Sequence, residues 1–406
     1  MSTSQPRLAR HGRRTLGFSS VDAIPFNRPH LTGNELDYIA EAAANIHLSG
    51  NGPFTRRCCA WINHRTGAGS SLLTHSATAA LEIGVALIGV GPGDEVIMPS
   101  FTFVSTANAV VLRGGTPVFV DVREDTLNLD ETLVEAAITP ATKAILPVHY
   151  AGVGCEMETL LEIAERHRLA VIEDAAQGIM ATWNGRALGS FGALGALSFH
   201  ETKNVMCGEG GALMINDPDL FERAEIIQEK GTDRSRFFRG QVDKYSWVDI
   251  GSSYLPSEIN AAFLWAQLEH ADEITADRLK TWRAYHEAFK PLEDAGVLRR
   301  PVVPERAGHN AHIYYLLLPN LEARTGLIAY LAAVAVQAVF HYVPLHASPA
   351  GKRFGRSHGD LRRTSDVSDR LVRLPLWTRM TESDVGRVID AVHESAAVGA
   401  ARRAGL

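Results

Sequence analysis

The chain has 406 residues, of which 46% are hydrophobic and 21% charged, and its formal net charge is −6. This length predicts a large domain and a smaller one, and the composition excludes a wholly disordered chain. Because the charge balance gives no basic field, we expect neither a nucleic acid nor an anionic membrane as a partner.

The two ends of the chain differ from the rest. Residues 1–22 are polar, basic and aperiodic, and residues 395–406 lack a clear apolar face, so we expect a flexible tail at each end. No apolar run approaches the ~20 residues of a membrane-spanning helix, and no signal-peptide pattern follows the first arginines. We therefore expect a cytoplasmic protein.

Short apolar runs alternate with helical stretches between Thr74 and Asp217. This rhythm predicts a mostly parallel sheet covered by helices on both faces, with ligands at the carboxyl ends of its strands. The predicted strands are EVIM (95–98), PVFVDV (117–122), AILPVHY (144–150), AVIEDAA (170–176), ALSFH (196–200) and ALMI (212–215).

The C-terminal part follows another pattern. Apolar residues at helical spacing predict helices over 257–289, which bridge two domains. A strand at 313–318, a helix around 323–335 and a strand at 338–346 then predict a small α+β domain. We place the large domain at 23–270 and the small domain at 271–394.

A lysine stands after one of the predicted strands. The segment SFHETKN contains Ser198 and Lys203, and the glycine-rich turn GEGG (208–211) follows it. Most lysines are solvated surface charges, so this spacing alone does not assign a role. The strand AVIEDAAQ, however, ends near Asp174, and a carboxylate there could keep a pyridine nitrogen protonated. A helix N-cap or a loop ion pair is the alternative for Asp174.

Two earlier segments could bind other parts of such a ligand. THSATAALE (74–82) indicates a loop entering a helix, with free backbone N–H groups at Ala77 and Thr78, and such a helix start binds phosphate. The alternative is that Ser and Thr only cap the helix. In the next helix start, PSFTFVSTAN, Phe101 or Phe103 could stack on a flat ring or pack in the core.

The order of these motifs on successive strand ends resembles the DegT/StrS family of sugar-nucleotide aminotransferases. The matching segments are SATAAL, FTFVSTAN, EDAAQ, SFHETKN and GEGG, and the similarity runs from about Ile24 to HYVPLH near the C terminus. It implies the α/β fold of the PLP-dependent aspartate aminotransferases (fold type I), with a mostly parallel sheet in the large domain. It also implies an enzyme whose cofactor is pyridoxal 5'-phosphate (PLP).

The resemblance gives roles to individual residues around the cofactor ring. Lys203 resembles the lysine that forms the Schiff base, and Asp174 resembles the partner of the pyridine nitrogen. Gln177 resembles a contact of the ring hydroxyl, and Phe103 resembles the stacking aromatic residue.

The phosphate site is implied in the same way, with one departure. Ser198 and the backbone of Ala77 and Thr78 resemble the phosphate cradle. The family commonly has Asn in a GYNYR-like segment that reaches the phosphate of a neighbouring subunit, whereas this chain reads GSSYL with Ser253 at that position. A hydroxyl still donates but reaches less far than an amide. The resemblance therefore implies a homodimer with active sites at the interface.

The opening IPFNRPHLTGNELDYI and the stretch 229–255 are most similar to the subgroup that aminates C4 of TDP-4-keto-6-deoxy-D-glucose. This similarity implies L-glutamate as the amino donor, and TDP-4-amino-4,6-dideoxy-D-galactose or its D-gluco epimer as the product. Such a product would serve surface polysaccharide or antibiotic biosynthesis. Another keto-sugar nucleotide, with a different carbon or base, remains the alternative substrate.

Three further residues are candidates for binding the nucleotide sugar. Arg236 and Arg239 could donate to the diphosphate, and His341 in HYVPLH could contact the sugar or the nucleotide. A solvated basic loop is the alternative for the arginines. The four cysteines and sixteen histidines show no ligand spacing, so we expect no metal.

Two other classes of protein compete with this interpretation. A non-catalytic sugar-nucleotide binding protein could keep the fold, although Lys203, Asp174 and Ser198 are all intact. The run GVGPG (89–93) suggests a Rossmann oxidoreductase. The glycine motif of that fold follows a strand, however, whereas this run precedes a predicted strand and is typical of a turn.

Overall fold

A computed structural model describes residues 23–403. The tail predicted at 1–22 and the last three residues lie outside this range. The strands are β1 Ser70–Thr74, β2 Glu95–Pro99, β3 Thr116–Val120, β4 Thr142–Ile145, β5 Ala170–Asp174, β6 Thr182–Trp183, β7 Arg186–Ala187, β8 Leu194–Ser198, β9 Gly211–Ile215, β10 Ala307–Gly308, β11 Tyr314–Leu317, β12 Arg356–Ser357 and β13 Leu371–Leu374. The helices are α1 Glu35–Ala44, α2 Pro53–Thr66, α3 Ala77–Leu87, α4 Val104–Val111, α5 Glu131–Ala137, α6 Met157–His167, α7 Phe221–Gln228, α8 Arg234–Phe238, α9 Glu258–Glu269, α10 Ala271–Ala288, α11 Lys290–Asp294, α12 Leu321–Ala333, α13 Pro349–Phe354, α14 Arg362–Arg370 and α15 Glu382–Arg403.

The central sheet has the strand order β1-β9-β8-β5-β4-β2-β3-β12. The pairs from β8 to β12 are parallel, and β9 is antiparallel to both of its neighbours. Each predicted strand between Thr74 and Asp217 is present in this sheet. The mainly parallel α/β fold expected from the sequence is therefore confirmed.

Helices cover both faces of the sheet. Successive strand residues point to opposite sides, so each strand contributes to both apolar clusters. In β1, Leu73 packs in the apolar cluster formed with α2, α5, α6 and α9. Its neighbour Leu72 packs in the cluster on the other face, formed with α3, α4 and α7. Because helices cover both faces, a ligand can reach the sheet at the carboxyl ends of its strands.

The small domain packs α10, α12 and α15 against the antiparallel pair β11 and β13. The prediction of a strand at 338–346 is wrong. Strand β11 pairs with β13 instead, and the segment 338–346 makes a single bridge, between Val339 and Arg373. Tyr342 has a φ of 36°, outside the extended region, and Pro344 cannot donate to a ladder. The segment is therefore an irregular loop.

The boundary between the two domains is crossed twice. Ile24, at the start of the predicted large domain, is bonded through its backbone to Ala335 and Gln337 and is buried in the core of the small domain. Conversely, β12 comes from the range predicted as the small domain but pairs with β3 at the edge of the large sheet.

The sequence predicts a flexible tail from residue 395, but helix α15 continues to Arg403. Its alanine-rich end favours helix even without an apolar face. Within residues 23–403, no helix has the length and apolar character needed to cross a membrane.

Candidate active site

A cavity of about 820 Å³ lies at the carboxyl ends of the central strands, between the sheet and the small domain. Most of the residues that the sequence singled out line it. These are Ala77, Thr78, Phe103, Asp174, Gln177, Ser198, Lys203 and His341. Local sequence motifs therefore located one continuous site.

One end of the cavity is the start of α3. The Ser76 side chain caps this helix by accepting from the Ala79 N–H at 3.1 Å. The N–H groups of Ala77 and Thr78 have no acceptor among the described residues. A Cβ added to Gly211 would lie 2.4 Å from the nitrogen of Ala77, so only glycine allows β9 to approach this closely. Free N–H groups at a helix start attract an anion.

Ser198 lies beside this helix start, because it pairs directly with Gly211 across β8 and β9. Its hydroxyl lines the cavity, and the one hydrogen bond that it makes with the described residues is accepted from the His200 N–H at 3.4 Å. A hydroxyl and free backbone N–H groups are together a suitable donor set for a phosphate group.

Asp174 ends β5 and is buried beneath the cavity. One carboxylate oxygen accepts from the Thr106 hydroxyl at 2.7 Å, and the other accepts from the Ala176 N–H at 3.1 Å. Burial raises the pKa of Asp174, while the two donors and the charge of Lys203 favour the carboxylate. A buried carboxylate at this depth can hold a pyridine nitrogen protonated.

The residue before Asp174 fixes its position. Glu173 is fully buried and accepts from the N–H groups of Gly189 at 2.8 Å, Phe191 at 2.6 Å and Gly192 at 2.7 Å. It also accepts from Nε2 of His149 at 2.8 Å. These bonds attach the 189–192 turn to the end of β5, immediately beside the cavity.

Lys203 lies in the turn after β8 and lines the cavity. Burial, and to a smaller extent the charge of Arg373, lowers the pKa of its amine to about 8 against the opposing effect of Asp174. Its Nζ forms no ion pair or hydrogen bond with the part of the chain that the structure describes. The amine is therefore available for chemistry and can be neutral near physiological pH.

The two candidate stacking residues are distinguished by their burial. Phe103 precedes α4 and is 57% exposed on the cavity, whereas Phe101 is 1% exposed. Phe101 packs against Tyr150 and Tyr342 instead. Of the two, Phe103 can stack on a bound ring.

The loop at 338–346 forms the opposite wall. Tyr342 accepts a hydrogen bond from the Gln177 side-chain amide at 3.0 Å, and Gln177 in turn accepts from the Ala151 N–H at 2.7 Å. His341 stacks on Tyr342 and shares a 2.8 Å hydrogen bond with the Tyr150 hydroxyl. Burial lowers the pKa of His341 well below its usual value, so this ring is neutral.

Three predicted residues do not line the cavity of their own chain. Arg236 and Arg239 lie on α8 and after it, where they form partly exposed ion pairs with glutamates of α7, at 3.2 and 2.8 Å. Ser253 bridges to Glu229 through its backbone. Their proposed contacts with the diphosphate and with a neighbouring subunit stay predictions.

Sequence reasoning missed Arg278, His312 and Arg373, all of which line the cavity. Arg373 stands in the apolar run LVRLPLW, and a single charge within an apolar strand is the signal that could have identified it. Arg278 and His312 belong to no recognisable pattern, and only the packing of the small domain brings them here.

The residues present fit PLP. The start of α3 and Ser198 suit the phosphate, Phe103 suits the ring face, Asp174 suits the ring nitrogen, and Lys203 supplies the amine for a Schiff base. Free N–H groups, a buried acid and an unpaired buried lysine within one cavity are together the donor set that this cofactor requires.

Comparisons with known proteins agree with this geometry. The DegT/DnrJ/EryC1/StrS aminotransferase family matches residues 29–393. SpsC of Bacillus subtilis (strain 168), a spore coat polysaccharide biosynthesis protein, is 32% identical over 91% of this chain and 96% of its own. GDP-perosamine synthase of Caulobacter vibrioides is 34% identical over 93% of this chain and 99% of its own.

Solved structures are similar over the same range. The aminotransferase TlmJ of Streptoalloteichus hindustanus superposes with a TM-score of 0.85 and 29% identity, covering 93% of this chain and 99% of that one. Similar structures have been determined in PLP and PMP forms.

Proposed function

The chain belongs to the DegT/DnrJ/EryC1/StrS aminotransferase family as a PLP-dependent sugar aminotransferase, and from this premise we propose a specific reaction for it. The enzyme transfers the amino group of L-glutamate to C4 of TDP-4-keto-6-deoxy-D-glucose. The observation that supports catalysis is the single cavity shared by Lys203, Asp174, Phe103 and the start of α3. The N-terminal segment, similar to that of enzymes acting at C4, supports the substrate.

The proposed mechanism assigns a task to each side chain. When bound, PLP supplies the electron sink for charge that develops at the α-carbon of the amino acid. Nζ of Lys203 takes the proton from that α-carbon and later delivers a proton to C4 of the sugar. Asp174 keeps the ring nitrogen protonated, and the start of α3 with Ser198 holds the phosphate in place.

Because Lys203 reaches C4 from one side only, the orientation of the bound sugar determines the product. One face gives the galacto amine and the other gives its gluco epimer. Either amine would serve the biosynthesis of deoxyamino sugars for a polysaccharide or an antibiotic.

A second candidate is the amination of another keto-sugar nucleotide. The similarity to GDP-perosamine synthase favours it, because that enzyme is named for a GDP-linked sugar. Within this chain, no described contact distinguishes the bases. The two candidates share the same cofactor site and the same amino donor.

Proton NMR of the purified enzyme with PLP, glutamate and TDP-4-keto-6-deoxy-D-glucose tests the proposal. An amine at C4 supports it: small H3–H4 and H4–H5 couplings identify the galacto product, and large ones the gluco product. If glutamate converts the cofactor but no sugar is aminated, the proposed substrate is wrong.

Replacing Lys203 with alanine tests the role of its amine. The Schiff-base absorbance should disappear and multiple turnover should be lost, since no other lysine lines the cavity of the described chain. Normal turnover by Lys203→Ala would refute the assignment of this residue.

We also propose a cytoplasmic homodimer. Large apolar side chains are exposed around α8 and the loop that follows it, including Phe238 at 69%, Trp247 at 80% and Val248 at 51%. Exposed apolar residues gathered in one segment are typical of an interface. Ser253 follows this segment directly, as a residue reaching a neighbouring phosphate would. Both proposed substrates are charged metabolites, which favours the cytoplasm.

A further inference from the structure

One imidazole of the cavity has a ring nitrogen without a partner. His312 lies just before β11, lines the cavity and is 8% exposed. Its Nδ1 lies 3.0 Å from Oδ1 of Asn204, whereas its Nε2 has no hydrogen-bond partner among the described residues and remains open to the cavity. An unpaired polar atom on so buried a side chain is costly, so a ligand that pairs with Nε2 would bind favourably there.

The hydrogen bonds around Asn204 determine which ring nitrogen of His312 carries the proton. The Asn204 amide NH2 donates to the Asn310 carbonyl at 2.8 Å, so its Oδ1 is the atom that faces His312. An amide oxygen only accepts, and Nδ1–H of His312 is therefore the donor. Burial and the charges of Lys203 and Arg278 lower the pKa of His312 well below its usual value, so the ring is neutral. Nε2 then carries a lone pair and only accepts a hydrogen bond.

The ligand group that pairs with Nε2 must donate a hydrogen bond without adding positive charge. Lys203, Arg278 and Arg373 line the same cavity, and their charges disfavour a proton on the His312 ring. They disfavour an ammonium group beside the ring for the same reason, since it would be a further cation. A carboxylate has no hydrogen to donate. A hydroxyl is neutral and donates, so it is the group that matches Nε2.

We propose that Nε2 of His312 accepts a hydrogen bond from the C3 hydroxyl of the keto sugar and thereby selects substrates that carry this hydroxyl. The inference rests on the proposed function in taking a sugar with its ketone at C4. In such a sugar, the C3 hydroxyl is next to the reacting carbon, whereas the C2 hydroxyl is next to the carbon that bears the diphosphate. After burial, the charge of Lys203 has the largest effect on the pKa of His312, so the ring lies near the amine that serves C4.

Support of Asn204 is the competing role for His312. The bond between them connects the small domain to the turn that bears Lys203, and a purely structural ring would need only Nδ1. The two ring nitrogens can be tested separately, because asparagine and glutamine each replace one of them. The side-chain amide of asparagine lies near the position of Nδ1, and that of glutamine lies near the position of Nε2.

Calorimetric binding of two unreactive ligands to the enzyme carrying the amino form of the cofactor tests the site. TDP-6-deoxy-D-glucose has the C3 hydroxyl and no ketone, and TDP-3,6-dideoxy-D-glucose lacks that hydroxyl but is otherwise the same. The unsubstituted enzyme should bind the first ligand about 10- to 100-fold more tightly, because the second leaves a buried acceptor unpaired.

Two substitutions of His312 distinguish the hydroxyl site from support of Asn204. His312→Asn keeps a donor for Asn204 but removes the acceptor in the cavity, so the preference for the hydroxyl ligand should disappear. His312→Gln keeps an acceptor near the position of Nε2 and should retain part of the preference. His167→Asn, at the exposed end of α6, is the control and should bind both ligands as the unsubstituted enzyme does.

Three outcomes would overturn the inference. Equal affinities of the unsubstituted enzyme for the two ligands would refute the hydroxyl site and leave the proposed function intact. A full preference in His312→Asn, with none in His312→Gln, would show that the ring only supports Asn204. If neither ligand binds to the unsubstituted enzyme, the proposed TDP sugar is wrong, and the inference fails with it.

Discussion

At the scale of single residues, the charge state of Lys203 controls capture of the cofactor. Only the neutral amine attacks the aldehyde of PLP, and the buried amine has a pKa of about 8. The rate at which cofactor-free enzyme captures PLP should therefore rise with pH and level off above about 8. Stopped-flow absorbance across about pH 6 to 10 measures this profile.

Arg373 provides an internal comparison for the pH profile, because its charge lowers the pKa of Lys203. Removing that charge in Arg373→Gln should move the midpoint of the profile to higher pH. A capture rate that does not change with pH would mean that Lys203 is already neutral throughout.

The sequence predicted the residues whose roles follow from local motifs. Lys203, Asp174 and Ser198 stand at strand ends, where a parallel sheet brings them together regardless of distant packing. Arg278 and Arg373 reach the cavity only through the small domain. No local pattern distinguishes Arg278 from other arginines, and the single charge of Arg373 within an apolar strand does not indicate which site it faces. Arg236 and Arg239 clustered in sequence, yet they pair with glutamates of α7.

At the scale of elements, the end of β5 depends on Glu173. Its two carboxylate oxygens accept hydrogen bonds from three backbone N–H groups and from Nε2 of His149. A glutamine side chain has only one oxygen, so its NH2 group would face some of these donors and lose their hydrogen bonds. Glu173→Gln should reduce the free energy of unfolding by about 2–4 kcal/mol. Urea unfolding followed by circular dichroism measures this loss.

Glu165→Gln is a matched control, because Glu165 lies exposed on α6. The control should unfold at the midpoint of the unsubstituted protein. Equal midpoints for both variants would mean that the 189–192 turn does not depend on the Glu173 carboxylate.

Strands of the central sheet were predictable because they are continuous apolar runs. The segment 338–346 is similarly apolar, but the left-handed backbone of Tyr342 and its contact with Gln177 make it a cavity wall. The sequence does not reveal this loop, because it depends on a tertiary contact and on a left-handed backbone conformation that is rare for a bulky residue such as tyrosine.

At the scale of the whole molecule, the exposed apolar side chains around α8 predict self-association. Trp247 is the most exposed of them, so Trp247→Asp should place a charge in the proposed interface and shift the protein towards a monomer. Sedimentation velocity measures the change, and turnover should fall with it if Ser253 serves the neighbouring site. An unsubstituted protein that sediments as a monomer would contradict the proposed dimer.

The two crossings between domains have a consequence for synthesis on the ribosome. The outer edge of β3 has no partner strand until β12 has been synthesised. Likewise, Ile24 cannot pack in the small domain until Val336, its bridge partner, has been synthesised. The large sheet is therefore not complete when its own helices and strands have emerged, and an uncovered edge favours pairing with other chains. Nearly the whole chain must be translated before either domain reaches its final structure, so truncated products of this gene should be prone to aggregation.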